Sequence, residues 1–445
     1  GQVTLTQTLI GTALDISGDI DVDGTTNLDA VDIDGAANFA ADVTFADGAD
    51  IITASAGTSN FRAGVNAGNS IASGGNYNVV VGDEAGTALT TGDSNVAIGF
   101  EALKTEDAHG RNVAVGYQAL EDLNAGADAY NVAIGYNSGR EITTGIRNTL
   151  LGANTGDGLT DADFNTAVGY YSLEADTLGS KSTAVGYQTL AAQNFTSATD
   201  TFNVAVGFQA GNDITTGTSN TLIGSLAGDA ITTGGSNVAV GTSALSANTT
   251  ASYNTAVGHE AGHSQTTAGF NTFIGRLSGY TNTTGSQNTS VGVNSFRLNT
   301  TGQYNTVIGK SALEANTTGN YNVALGHTAL VSNTTASNNT AVGYQAGYTN
   351  VAAGAQVFVG YKAGYATTTG GGSSTFVGYE AGLSNTTGGN NTALGRGSFL
   401  DNTTGSNNVG LGYDALANNT TASNNTAVGY KAGYSNTTGV HNIAI

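Results

Sequence analysis

The sequence predicts an all-β protein that forms a repetitive parallel β-solenoid, or β-roll, of 17-residue coils behind a β-rich stem. Three observations predict it. A motif of the form Asn-Thr-Ala-Val-Gly, such as Asn254 to Gly258, recurs about twenty times, nearly always 17 residues apart. Gly occurs 66 times and Pro is absent, so each coil can turn tightly and donate all its backbone N–H groups to the next. Apolar residues do not recur at helical spacing.

The motif itself predicts a short β-strand. The residue before the motif glycine is always aliphatic, and we expect this column of side chains to stack into a narrow core. Thr or Val stands two positions earlier, and both are β-branched residues that suit a pleated surface. The residues that we expect to hold the repeated structural frame are Asn254, Val257, Gly258, Asn339, Val342 and Gly343.

A second short strand and a turn are expected after the motif glycine. The turn typically reads Asn-Thr-Thr-Gly, as at residues 316–319, and these residue types supply positive φ angles and local hydrogen bonds. Each coil would rise about 4.8 Å, so the roughly 22 coils of residues 60–445 would form a rod on the order of 100 Å long. Longer steps follow Gly116, Gly186 and Gly360, and a solenoid accommodates such insertions in its surface turns.

A coil of this size has a thin core and cannot cover both of its outer faces. The Leu, Phe and Tyr residues that follow the motif glycine need a second surface to pack against. We therefore expect a homotrimer around a central axis, with a monomeric solenoid as the alternative.

Residues 1–59 form a second region with a different pattern. Ile16, Ile20 and Val22 alternate with polar residues, which is the period of a strand with one buried face. Ten acidic residues and no basic ones lie here. We interpret this region as an acidic β-stem. At the other end, the chain stops one residue before the next expected motif glycine, so we expect the repeat to continue past Ile445.

The charge excludes one class of partner. Lys and Arg number 12 against 33 Asp and Glu, giving a net charge of −21, whereas nucleic-acid binding requires basic residues that neutralise phosphates. No run approaches the roughly 18 apolar residues of a membrane span, so we expect no membrane insertion in this segment.

Two motifs suggest metal ions. Asp19, Asp21 and Asp23, followed by Gly24, match the start of a Ca²⁺-binding loop. Ala30 stands where that loop needs its last ligand, so a solvated acidic strand face is the simpler interpretation. His259 to His263 reads H-E-x-x-H, but the zinc-protease chemistry requires a helix and this stretch falls in a turn of the coil. We predict no enzyme activity, and no cofactor other than this candidate Ca²⁺.

Two columns of the repeat could meet glycans. Asn248, Asn282 and Asn299 begin Asn-Thr-Thr sequences that qualify as glycosylation acceptors, although the same sequence is also good turn chemistry. Tyr344 and Tyr361 belong to an aromatic column after the motif glycine. If this column is exposed, its rings could stack on sugar rings. If it is buried, which we favour, the rings pack between coils or protomers.

Asn95 to Gly99 and Asn131 to Gly135 have the wording Asn-Val-Ala-Ile-Gly, which resembles the coils in the head domains of trimeric autotransporter adhesins. That resemblance covers residues 60–445 and implies a left-handed parallel β-roll, but the adhesin repeats are shorter. The longer form, with Gly-Tyr-Gln-Ala-Gly-Tyr at residues 343–348, looks more like repeats of marine bacteriophage tail-fibre and virion appendage proteins. Residues 14–28 are similar to the shafts of such fibres.

The function that we expect from this resemblance is a structural and adhesive virion fibre, an elongated rod that positions a receptor-binding tip for host attachment. A bacterial cell-surface adhesin or a self-assembling extracellular filament is the alternative. Its partners would be copies of itself and a cell-surface glycan or receptor. An ice-binding solenoid is a third reading, but the required paired Thr-x-Thr columns are not seen.

Overall fold

The structure is a computed structural model and describes residues 55–369 and 372–445. The predicted stem lies outside the described residues except for residues 55–59. The candidate Ca²⁺ ligands Asp19, Asp21 and Asp23 lie outside them as well.

The described residues contain 25 short strands and no helix. The strands are β1 Phe61–Ala63, β2 Val79–Val81, β3 Val96–Ile98, β4 Val113–Val115, β5 Val132–Ile134, β6 Thr149–Leu151, β7 Thr166–Val168, β8 Gly179–Ser180, β9 Thr183–Val185, β10 Thr199–Asp200, β11 Val204–Val206, β12 Thr221–Ile223, β13 Val238–Val240, β14 Thr255–Val257, β15 Thr272–Ile274, β16 Thr289–Val291, β17 Thr306–Ile308, β18 Val323–Leu325, β19 Thr340–Val342, β20 Val357–Val359, β21 Thr375–Val377, β22 Thr392–Leu394, β23 Val409–Leu411, β24 Thr426–Val428 and β25 Ile443–Ala444.

All strands but two belong to one parallel sheet of 23 strands, in which each strand pairs with the strand of the next coil. The register never slips: Ala256 of β14, for example, pairs with Phe273 of β15 at the equivalent position of the next coil. The two-residue strands β8 and β10 pair with each other beside the longest insertion. The chain is therefore a parallel β-solenoid of about 17 residues per coil, which confirms the predicted fold class.

The aliphatic column does not form the core, and the prediction that Val257 and Val342 stack inside was wrong. Both are half-buried, whereas the preceding residues, Ala256 and Ala341, are fully buried. Successive side chains of a strand point to opposite faces. Because Asn254 points inward, Ala256 does too, and Val257 is left on the outer face.

The core is filled by two positions that compensate each other in volume. One is the central residue of the strand, and the other lies four residues after the motif glycine. Phe273 of β15 is fully buried and lies between Gly262 and Gly279, where added Cβ atoms would come within 2.9 and 2.5 Å of its ring. Where the strand has Ala114 instead, Leu120 fills the core from the other position. A large side chain at one position thus fills the space that a small residue leaves at the other, in its own coil or in the coil beside it.

The expected second strand is absent, because left-handed residues interrupt this part of the coil. Gln345 has a φ of 55° and Gly347 a φ of 61°, and residues two and four positions after other motif glycines behave in the same way. Left-handed φ angles turn the chain and cannot continue an extended strand. Apart from the coils that hold β8 and β10, each described coil therefore consists of one short strand and a series of turns.

The motif glycine is required by close approach between coils. Gly258 has a φ of 136°, and a Cβ built on it would lie 2.7 Å from both the carbonyl carbon and the carbonyl oxygen of Gly275 in the next coil. Any side chain at this position would force the two coils apart, and the positive φ would strain it further.

Buried asparagines join each coil to the next. The Asn254 side chain accepts a hydrogen bond from the Asn271 backbone N–H at 3.0 Å. Its amide donates to the Ala268 carbonyl at 3.1 Å, so it satisfies two groups of the next coil that have no water to bond. This ladder repeats through most coils, with Ser182, Gln356 and Ser374 in place of Asn. A buried polar column is stable only when its members are hydrogen-bonded.

Candidate functional surfaces

The outward face of the 23-stranded sheet forms one uniform surface along the described solenoid. We define the sheet face as the residues three and one positions before each motif glycine, such as Thr255 and Val257. Every member among the described residues is Thr, Val, Ile, Leu, Phe or Ala, and none is charged. Many remain substantially open: Ile98 is 37% exposed and Ile308 43%. The face is therefore an apolar strip that runs the length of the described solenoid.

Two edge columns border the sheet face, one five positions before the motif glycine and one directly after it. They hold half of the protein's 12 Lys and Arg residues but one of its 33 acidic residues, Asp83. The basic residues of the edge columns are Arg111, Arg147, Lys181, Arg276, Lys310 and Arg396. In a chain of net charge −21, this side of the solenoid is markedly depleted of negative charge.

Aromatic rings stack on one another along the edge columns. The rings of Tyr344 and Tyr361 are 5.4 Å apart and 11° from parallel, and Tyr379 continues the stack at 4.9 Å. Tyr344 is nevertheless 43% exposed and Tyr361 38%. They pack between coils, as favoured from the sequence, but they are not buried. Since neighbouring rings cover both faces of Tyr361, only its edge and hydroxyl reach solvent, which leaves no ring face for a sugar.

Cations and rings alternate along the earlier part of the other edge column. The Arg147 guanidinium lies 5.3 Å from the centre of the Phe164 ring, and the Lys181 ammonium 5.4 Å from that of Phe202. Lys181 also pairs with Asp200. Such contacts contribute about 0.5–1 kcal/mol each at exposed sites, so these cations serve coil-to-coil packing.

The asparagines of the Asn-Thr-Thr turns are buried. Asn248, Asn282 and Asn299 have no solvent-exposed surface. The amide of Asn299 donates to the side-chain oxygen of Asn282 at 2.6 Å and to the Gly302 carbonyl at 3.1 Å. In the folded coil these amide nitrogens donate hydrogen bonds within the protein. The contacts therefore support a role of these asparagines in stabilising the turns rather than in carrying glycans.

The two histidines of the H-E-x-x-H sequence make separate contacts. The His259 side chain is 52% exposed with its Nδ1 3.6 Å from Glu260 Oε2, while the His263 ring stacks on Tyr280 at 5.1 Å. The stretch follows β14 as turns. Within the described ranges, the metal-ligating groups that come together lie elsewhere, at Glu106, Asp107 and His109.

Two buried carboxylates replace Asn in the turn column. Glu106 accepts hydrogen bonds from the backbone N–H groups of His109 and Ala125 at 3.1 and 3.4 Å. Asp176 accepts from the side chain of Gln193 at 2.5 Å and from two backbone N–H groups. Burial raises the pKa of both carboxyls, because the charged form loses hydration. The two carboxylates thus bond to backbone groups of the turn, as the Asn side chains at the same position of other coils do.

A shallow depression on the solenoid surface is lined by Gln209, Asn212, Asp213 and Asp229. Its volume is about 180 Å³, which is below the roughly 300–1,000 Å³ typical of small-molecule sites. Burial raises the pKa of the Asp229 carboxyl. The depression alone does not define an active site.

No family model matches the chain, and no curated protein matches it. Among the described residues, no helix is long and apolar enough to cross a membrane. Together, the fold and the surfaces define a repetitive parallel β-solenoid protein whose sheet face is apolar and free of charge.

Proposed function

We propose that this chain is a structural and adhesive fibre protein, a rod on a bacteriophage virion that positions a receptor-binding tip for host attachment. The observation that carries the proposal is the unbroken register of the 23-stranded sheet. At about 4.8 Å per strand, the sheet extends roughly 100 Å. A long series of equivalent, evenly packed coils makes an extended and stiff molecule, which suits a structural role rather than a catalytic one.

We further propose that the rod is a homotrimer whose copies meet through the sheet face. A strip about 10 Å wide and roughly 100 Å long offers on the order of 1,000 Å² per copy. Three such strips would bury on the order of 3,000 Å² in all, above the roughly 1,200–2,000 Å² of a standard two-body interface. Its composition supports this: interface centres are depleted of charge, while aromatic and Arg residues are enriched near them. Monomeric proteins rarely expose an apolar patch of this size.

The location of the rod is tested by electron microscopy with a gold-labelled antibody against this chain, applied to cultures that produce it. We expect gold on thin appendages of virus particles. Gold on cell envelopes would replace the proposal with a cell-surface adhesin. Gold on filaments attached to neither particle nor cell would replace it with a free extracellular filament.

The oligomeric state is tested on the purified chain by light scattering under native conditions. We expect three times the chain mass of 44.3 kDa, and we expect Ile308→Asp, in the middle of the sheet face, to give monomers. Thr318→Asp adds the same charge to the exposed turn of the same coil and should leave the trimer intact. Monomers of the parent chain would contradict the proposal.

A further inference from the structure

Charge is segregated along the solenoid. Residues 55–260 contain 19 acidic and 6 basic residues, whereas residues 261–379 contain a single acidic residue and 4 basic ones. The basic residues are Arg276, Arg297, Lys310 and Lys362, and the acidic one is Glu314. A stretch of about seven coils therefore has a net charge of +3 within a chain of net charge −21.

All four basic residues lie on one side of the coils, in the segment that follows the motif glycine. Arg276 and Lys310 come directly after their motif glycines, and Lys362 comes two positions after its own. The Lys362 ammonium lies 5.3 Å from the Tyr361 ring and 5.5 Å from the Tyr365 ring. Those rings belong to the first and fifth positions after the motif glycine, so these positions form one continuous surface.

The coil register fixes how far apart the cations are. The Arg276 carbonyl accepts from the Asn294 backbone N–H at 3.0 Å, and the Lys310 carbonyl from that of Thr328 at 3.0 Å. Neighbouring coils are therefore stacked directly on each other, and each column contains one residue from every coil. Arg276 and Lys310 are two coils apart, about 10 Å, and Lys362 follows three coils later, about 14 Å further along.

These three cations are not neutralised by the protein. Arg297 is paired with Glu314 at 2.9 Å, which uses the only carboxylate of the stretch. None of Arg276, Lys310 and Lys362 has a carboxylate within ion-pair distance among the described residues. Arg276 and Lys310 are exposed. We name Arg276, Lys310 and Lys362 the basic side.

We propose that the basic side binds a linear acidic polysaccharide that runs along the solenoid axis. The surface is a straight series of cations at intervals of about 10 to 14 Å with no deep cavity, which suits an extended polymer whose charges repeat at intervals. The inference rests on the proposed function for the source of that polymer, a host envelope. It concerns positions after the motif glycine, at the rim of the sheet face rather than at its centre.

The same surface is less suited to single-stranded nucleic acid. Such binding relies on aromatic faces on which bases stack, and here the rings of Tyr344, Tyr361 and Tyr379 cover one another. Ionic contacts to spaced carboxylates or sulfates remain the interaction that this surface offers.

The test measures binding of the purified full chain to immobilised alginate, a linear polyuronate, by biolayer interferometry at low salt, with neutral dextran as the reference polymer. The variant Arg276→Gln/Lys310→Gln/Lys362→Gln should bind alginate about tenfold more weakly, since three exposed ionic contacts are lost. The control Arg111→Gln/Arg147→Gln/Lys181→Gln removes the same charge from the acidic part of the solenoid. It should change binding by less than about twofold.

Several results would overturn the inference: no alginate binding by the parent chain, equal binding to dextran, or equal weakening by both triple variants. Binding of a 20-nucleotide DNA strand or of poly-glutamate as tight as that of alginate would also overturn it, since the site would then not select a polysaccharide. Circular dichroism of both variants checks that the solenoid is folded. None of these failures alters where the antibody label is found, so the two proposals fail separately.

Discussion

Replacing one member of the buried Asn ladder should open the solenoid locally. Asn408 is fully buried. Its side-chain oxygen accepts from the Asn425 backbone N–H at 2.9 Å, and its amide donates to the Ala422 carbonyl at 2.9 Å. Asn408→Ala leaves the Asn425 N–H buried without a partner, whereas the Ala422 carbonyl keeps a second donor, the Asn419 amide at 3.1 Å. At about 1–3 kcal/mol for the unpaired N–H, the free energy of opening these coils should fall by about 1–3 kcal/mol.

Hydrogen exchange measured by mass spectrometry tests this, because contacts in a solenoid run only between neighbouring coils. Faster exchange should be confined to the coils around residues 391–442, while residues 99–186 keep their protection. The control is Asn418→Ala, a half-buried Asn in the same coil whose side chain makes no hydrogen bond; it should change the opening free energy by less than about 0.5 kcal/mol. The reasoning is refuted if the Asn425 amide exchanges equally fast in both variants.

Three further predictions follow from the packing and are read from unfolding midpoints. Gly258→Ala should destabilise the chain by about 2 kcal/mol or more, because its Cβ would meet the next coil; Gly126→Ala, where a Cβ meets nothing within 4 Å, should cost about 1 kcal/mol. Phe273→Ala should cost about 3–5 kcal/mol, while Phe270→Ala, whose side chain is 61% exposed, should cost about 1 kcal/mol or less; equal losses would refute the core assignment. Burial raises the pKa of Asp176 above its ordinary value of 3.8, so its contribution to stability is present below that value and is lost as pH rises through the higher folded-state pKa. Asp176→Asn should remove this loss of stability as pH rises above about 3.8, and an unchanged pH dependence of the unfolding midpoint would contradict it.

The period and the strand could be predicted from the sequence because they repeat. Asn254 to Gly258 recurs with so little variation that the position of β14 and its pairing with equivalent strands follow from the spacing alone. Parallel stacking follows in turn, since equal steps bring equal residues into register.

Which side of the strand faces inward was not predictable from hydrophobicity. Val257 is more apolar than Ala256, yet Ala256 is inside, because the coil is too narrow for larger side chains unless a glycine stands opposite. The signal that could have settled it was the exchange of volume between two positions: Phe273 occurs with Gly262 and Gly279, whereas Ala114 occurs with Leu120.

The turns directly after the motif glycine, where a second strand was expected, could not be predicted for a different physical reason. Gln345 adopts a left-handed φ of 55°, which few residues other than Gly, Asn and Asp adopt readily, and nothing in its residue type announces it. Leu330 does the same at 50° and is fully buried, so burial offsets a local strain of about 1 kcal/mol. The buried Asn248 was likewise ambiguous, because a turn Asn and a glycan acceptor share one sequence.

The most direct test of the rod of stacked coils is cryo-electron microscopy of the purified full chain. We expect straight particles containing a rod of roughly 100 Å with an axial repeat of about 4.8 Å, in which the sheet faces of three copies, Ile308 among them, meet around a common axis. Compact particles without an axial repeat, or single rods with Ile308 facing solvent, would contradict it.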